Sequence, residues 1–180
     1  HLLGAAELLG AEKVENIRKI NELKKFADND LIFLSGLQLE SGAFPIYANT
    51  SGSESINPYF SDYVAIALLN RPDLYAENVK KYINWHFDHL NDDGTIYDYY
   101  IENNVEKPKG TYDSTDSYAA TFLMLLEKYC EKTGDINFIT KHKSDVISVY
   151  NSMISTLYNG LTYAKEDHPV IYTMDNSEVY

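Results

Sequence analysis

The chain reads as all-α, built of antiparallel helical hairpins. Three observations predict this: apolar residues recur at three- and four-residue steps, tight turns alternate with long connectors, and a Gly-plus-aromatic segment returns three times. With 180 residues it has roughly one domain's length, here 1–180, and its 44% hydrophobic and 23% charged content is that of a globular protein.

The first apolar stripe, Val14, Ile17, Ile20, Leu23 and Phe26–Ala27, predicts a helix over about 11–27. Asp28-Asn29-Asp30 offers capping residues for a second helix reaching about Glu40, and one continuous helix fits the pattern as well. A helix follows over 56–69, with Pro58 suited to its first turn and Tyr59, Tyr63, Ile66 and Ala67 on one face. Pro72 restarts the chain, and Val79, Ile83, Phe87 and Leu90 mark a helix over 74–90. The next spans about 113–132 and stops at Gly134, a residue that tolerates the left-handed backbone of a helix end. Residues 136–158 predict a further helix whose second half, with Val146, Ile147, Val149, Tyr150, Met153, Ile154, Leu157 and Tyr158, leaves little polar face and is expected to be buried on most sides. Asp175 to Tyr180 reads as the first turn of one more helix.

Asn70-Arg71-Pro72 and Thr133-Gly134-Asp135 are the short connections. The long ones, 41–55, 91–112 and 159–174, open with Gly42-Ala43-Phe44-Pro45-Ile46-Tyr47, Gly94-Thr95-Ile96-Tyr97 and Gly160-Leu161-Thr162-Tyr163. The glycines stand 52 and 66 residues apart, room for one helix pair and a loop per unit. Antiparallel helices then place all the long connectors at one end of the bundle, where function is expected.

Five carboxylates belong to that end: Asp98 in a connector, Asp113 and Asp116 at one helix start, Asp175 and Glu178 at the next. Paired carboxylates suit glycoside cleavage, one protonating the leaving oxygen and the other activating water or attacking the anomeric carbon. Tyr47, Tyr59, Tyr97, Tyr99, Tyr112 and Tyr118 are all expected near this rim, and an aromatic face with a polar edge fits a sugar. Capping is the competing explanation, because Asp113/Asp116 and Asp175/Glu178 both have capping-box spacing. Helix N-termini favour the ionised carboxylate, so a proton donor is expected from the connector, from a desolvated site or from residues outside this chain, with Asp98 between two tyrosines as the local candidate.

A net charge of −12 and the lack of any basic cluster longer than Lys141-His142-Lys143 argue against nucleic acid and anionic membrane as partners. The single Cys130 excludes an internal disulfide framework or a multi-cysteine metal site. His86 and His89 lie one turn apart, with no third ligand in a defined relation to them. Asn91-Asp92-Asp93-Gly94 does not meet the calcium-loop template, since His89 and Tyr100 would occupy its first and last ligand positions. No cofactor and no metal is expected. Asn49-Thr50-Ser51 is a glycosylation sequon by pattern.

The stretches SGAFPIYA, INPYFSDYVAIALL, DGTIYDYY, YDSTDSYAATFLMLL and YTMDNSEVY together resemble the six-hairpin glycosidases, whose hairpins form an (α/α)6 toroid. The resemblance covers most of residues 30–180 and implies about half of such a ring, incomplete towards the C-terminal end. DSTDSYAATFLMLL is similar to the Asp-containing helix start of glycoside hydrolase family 8, which would put Asp116 on the sugar at the cleavage subsite. Where that family carries its acid Glu, this chain reads Asn57-Pro58-Tyr59-Phe60, with Glu54 the nearest Glu, so the resemblance implies a divergent glycosidase-like family. It implies a glycoside hydrolase acting on an oligo- or polysaccharide. Asp116, Asp98 and Asp113 would be catalytic, and Asp175, Glu178, Tyr59, Tyr118 and Tyr97 would bind substrate. The alternative is a non-catalytic toroid that binds glycans or a protein.

Overall fold

A computed structural model describes residues 2–48, 55–103 and 105–180, with backbone alone for residues 2–9, 11 and 12. The sequon at Asn49 and the Glu54 position lie outside the described residues. The chain divides into two compact units, His1–Gly36 and Leu37–Tyr180.

The first unit is one helix, α1 (Leu2–Gly36), so Asp28-Asn29-Asp30 continue a helix and do not cap a new one. Val14, Ile17, Ile20, Leu23 and Phe26 are all exposed on it. Repeated three-residue steps fall about 60° short of a full turn each time, so these side chains wind around the helix and never form a single face.

The second unit runs β1 (Ser55–Ile56), α2 (Pro58–Leu68), α3 (Pro72–Asp88), β2 (Tyr99–Glu102), β3 (Val105–Pro108), α4 (Thr115–Thr133), α5 (Ile136–Lys141), α6 (Lys143–Ser155), β4 (Leu157–Tyr158), β5 (Leu161–Thr162) and α7 (Thr173–Val179). It is mostly helical, with short antiparallel strands inside the long connectors: β1-β2-β3 as one sheet and β4-β5 as a hairpin. Among the described residues no helix is long and apolar enough to cross a membrane.

α4 is the central helix, packed on α2, α3, α6 and α7. All eight residues from Thr115 to Phe122 are buried. Small polar residues make this possible, because the Thr121 hydroxyl finds partners both in its own helix, at the Ser117 carbonyl (2.9 Å), and across to α2, at Asp62 Oδ2 (2.8 Å). The helix expected to be enclosed, 136–158, is instead broken at His142, and α6 buries only Val149, Ser152 and Met153, with Ile147, Tyr150 and Ile154 exposed. His142 stacks on Phe87, with ring centroids 4.3 Å apart, a tertiary contact that no local breaker signals.

Local chemistry accounts for the helix ends. Asn57 caps α2 by accepting from the Phe60 amide (3.2 Å), with Pro58 in the first turn, and α4 ends at Gly134 with φ 72°. Two repeat glycines serve close packing as well as turning. Gly42 (φ 110°) lies against the Lys81 backbone of α3, and Gly94 (φ 81°) against the Ser148 backbone of α6. A Cβ at either position would stand 2.6 or 2.3 Å from a carbonyl oxygen. Each connector is thereby pressed onto the last helix of a neighbouring hairpin.

Candidate functional site

The N-terminal ends of α2, α4 and α7 converge on a cleft of about 320 Å³, walled by Asn57, Tyr59, Asp113, Ser114, Tyr118 and Asp175. Three local devices position these ends. The β5 edge holds α7 through Asn176, whose side-chain amide accepts from the Thr162 amide (2.9 Å) and donates to the Thr162 carbonyl (2.9 Å), as a paired strand would. The loop before α7 docks on α4 where the Thr115 amide donates to the Ala164 carbonyl (2.6 Å), satisfying one of the free amides at that helix start. In the 91–112 connector, Asp98 fastens the two arms together, its amide donating to the Thr111 carbonyl and its carbonyl accepting from the Lys109 amide.

At the cleft wall the Ser114 hydroxyl sits between two carboxylates. Its oxygen lies 2.5 Å from Asp116 Oδ1 and 3.3 Å from Asp175 Oδ2. Asp116 is fully buried, also accepts from the Ser117 amide (2.8 Å), and leaves Oδ2 without a partner. The Asp175 carboxyl is raised to about 6, by burial first and the Asp116 charge second, while the Ser114 hydrogen bond works in the opposite direction. Asp175 sits in the first turn of α7, where helix-end amides favour the anion. Desolvation and neighbouring carboxylates outweigh them.

The capping explanation does not describe these residues. Ser114 is the cap residue of α4, accepting from the Ser117 amide, and Tyr172 holds the cap position of α7 without a side-chain cap. Glu178 instead accepts from the hydroxyls of Tyr59 (2.6 Å) and Tyr63 (2.8 Å), fixing the Tyr59 ring at the cleft. Burial and then the Glu178 bond push the Tyr59 hydroxyl up.

Asp98 stands behind the tyrosines. Its Oδ1 accepts from Tyr118 OH (3.0 Å) and Asn57 Nδ2 (3.1 Å). Burial raises its carboxyl, as the connector position suggests, while the Tyr118 and Asn57 bonds oppose the rise. Burial, followed by the Asp98 charge, likewise raises the Tyr118 hydroxyl.

Asp113, Asp175, Tyr59 and Tyr118 therefore share one cleft wall, and Asp116 lies beneath it, joined through Ser114. Asp98 and Glu178 act on the tyrosines from behind. Tyr97 stands apart with Tyr112, and Tyr99 is buried against Trp85. His86 is buried with its ring on Phe122, and His89 donates from Nδ1 to its own helix at the Trp85 carbonyl (2.7 Å). Among the described residues no group of three or more His, Cys, Asp or Glu is placed to hold a metal ion.

Sequence reasoning missed Ser114, Asn57, His168 and Tyr172. The first two carry a signal, each being a cap residue directly before an apolar helix. His168 and Tyr172, also in the wall, lie in an aperiodic connector.

No protein-family model matches the chain, and no curated protein matches its sequence.

Proposed function

We propose that the chain is a carbohydrate-active enzyme, a glycoside hydrolase whose hairpins form part of an (α/α)6 toroid of the six-hairpin glycosidase kind. The observation that carries this reading is a cleft wall bearing a carboxyl raised to about 6, Asp175, beside a second carboxyl, Asp113, and the rings of Tyr59 and Tyr118. A carboxyl that keeps its proton up to about pH 6, above the ordinary carboxylate range, is suited to protonating a glycosidic oxygen. Asp175 donates that proton as the anomeric carbon–oxygen bond breaks. Asp113 takes a proton from the incoming water or attacks the anomeric carbon itself. Burial and then the Asp116 charge make Asp175 hold its proton more tightly, and Ser114 orients its carboxyl. Tyr59, locked by Glu178, offers its ring to the C–H face of a sugar, backed by the buried Tyr118 that Asp98 and Asn57 hold in place.

The test is release of reducing ends from plant and bacterial polysaccharides and from aryl glycosides. Wild type turns over at least one substrate; Asp175→Asn loses about 10²-fold or more in kcat on polysaccharide, the scale of a lost general acid. NMR of the first product anomer separates a water-activating Asp113 from a nucleophilic one. A glycan-binding protein without chemistry is the second reading, favoured by the burial of Asp116, and it predicts sugar binding with no turnover.

A further inference from the structure

Among the described residues two further depressions open at the same end of the second unit, and a row of tyrosines, with Tyr118 buried within it, joins them to the cleft. Tyr59 and Tyr118 have ring centroids 6.1 Å apart with planes 27° from parallel. Tyr118 is followed by Tyr112 at 6.4 Å, and Tyr112 by Tyr97 at 6.0 Å. Three separate segments supply these rings: α2, the 91–112 connector, and α4. Tyr112 stands at the junction. It lines a second depression of about 410 Å³ and, with Tyr97, a third of about 370 Å³.

Tyr112 is held in place rather than left loose. Lys165 Nζ donates to its carbonyl (2.8 Å) and lies 5.6 Å from its ring centroid, while Thr115 Oγ1 donates to its hydroxyl (3.4 Å).

The lining of the second depression states what could fill it. Asp93, Thr95, Asn151, Thr156, Tyr163 and Glu166 present hydroxyls, one amide and two carboxylates, and no Lys, Arg or His lines it. A ligand there must supply hydrogen-bond donors along its length and carry no negative charge. The rings require it also to have apolar faces at intervals. A linear chain of uncharged sugars has both properties. A polyuronate or sulfated glycan would set its charges against Asp93, Asp113, Glu166 and Asp175.

We propose that the protein binds an extended, unbranched, uncharged oligosaccharide across all three depressions, with Tyr112 as the platform that carries the chain beyond the Asp113–Asp175 cleft. This rests on the reading of a sugar as ligand and does not depend on hydrolysis.

The test is calorimetric titration of the full chain with disaccharide, tetrasaccharide and hexasaccharide from the cello-, xylo-, manno- and malto- series, beside oligogalacturonates of the same lengths. In at least one neutral series the hexasaccharide binds about tenfold or more tighter than the disaccharide, and Tyr112→Ala removes most of that gain while leaving disaccharide affinity unchanged. Tyr112→Phe, which keeps the ring, retains the gain, and Tyr97→Ala reduces it in a background where Tyr112 is intact. Equal affinity at all lengths, oligogalacturonate bound as tightly as the neutral chain, or no binding in any series overturns the proposal. Tight binding of the hexasaccharide without cleavage would refute the hydrolase reading and leave this one standing. Cleavage with no dependence of affinity on length would do the reverse.

Discussion

Replacing Asp116 by Asn removes one buried negative charge and little else. Its Oδ1 acceptor, used by Ser114 and the Ser117 amide, survives in the amide, and the position of Oδ2 has no hydrogen-bond partner to lose. Asp116 and Asp175 both lie within hydrogen-bonding reach of one hydroxyl oxygen, at 2.5 and 3.3 Å, which sets the facing carboxylate oxygens at most about 6 Å apart. At that separation a like charge costs roughly 0.7 kcal/mol in a water-like medium and roughly 3 kcal/mol at an effective dielectric constant of about 20. Converted at about 1.4 kcal/mol per pH unit, the Asp175 carboxyl should fall from about 6 by ~0.5–2, with about one the central expectation, because burial supplies the larger part of the rise. Asp175 must be protonated to act as acid, so the alkaline limb of kcat/KM against pH moves down by that amount, and carbon NMR of the Asp175 carboxyl moves with it. An alkaline limb that stays in place, or rises, would show that the charge beneath the cleft does not control Asp175.

The same carboxyl predicts a dependence of stability on pH. Because its folded pKa lies above the unfolded value, its stabilising contribution is complete below about 4 and is lost as pH rises through about 6; Asp175→Asn therefore raises Tm relative to wild type at pH 8 and not at pH 4, read by circular dichroism. Gly94→Ala places a Cβ 2.3 Å from the Ser148 carbonyl at positive φ and should cost more than about 2 kcal/mol in urea denaturation, whereas Gly160→Ala, with the same sign of φ and open space, should cost about 1 kcal/mol. Asp62, buried with Tyr82 OH and Thr121 Oγ1 both 2.8 Å away, anchors α2 to α3 and α4; Asp62→Ala should destabilise by about 2–3 kcal/mol in the same assay.

The helices that build the site were legible because their signals are local: Asn57-Pro58 opens α2, Gly134 closes α4, and the alternation of tight and long connections places several helix starts at one end. The reach of α6 was not. Val146, Ile147, Val149, Tyr150, Met153 and Ile154 crowd its second half, yet burial follows which helix the others surround, and that helix is α4, whose Ser117 and Thr121 look polar in sequence but fold their hydroxyls inward or onto partners. At the site, the carboxylates could be named from the sequence, but their roles could not. Helix-end electrostatics argued for an ionised Asp175, and only the folded packing around α7 supplies the burial, and then the neighbouring Asp116 charge, that reverse it. Asp98 met the expectation of a raised carboxyl for the reason its flanking tyrosines suggested, desolvation. The link through Ser114 depends on residues 61 apart and leaves no spacing to read.

The central claim is that Asp175 is the proton donor for cleavage of a glycosidic bond. It is tested most directly by comparing wild type and Asp175→Asn on a substrate the wild type cleaves, using aryl glycosides whose leaving groups range from poor to good. The account predicts a large loss for poor leaving groups and a much smaller one for good leaving groups, which depart without a proton. An equal loss across the series, or no loss at all, would contradict it.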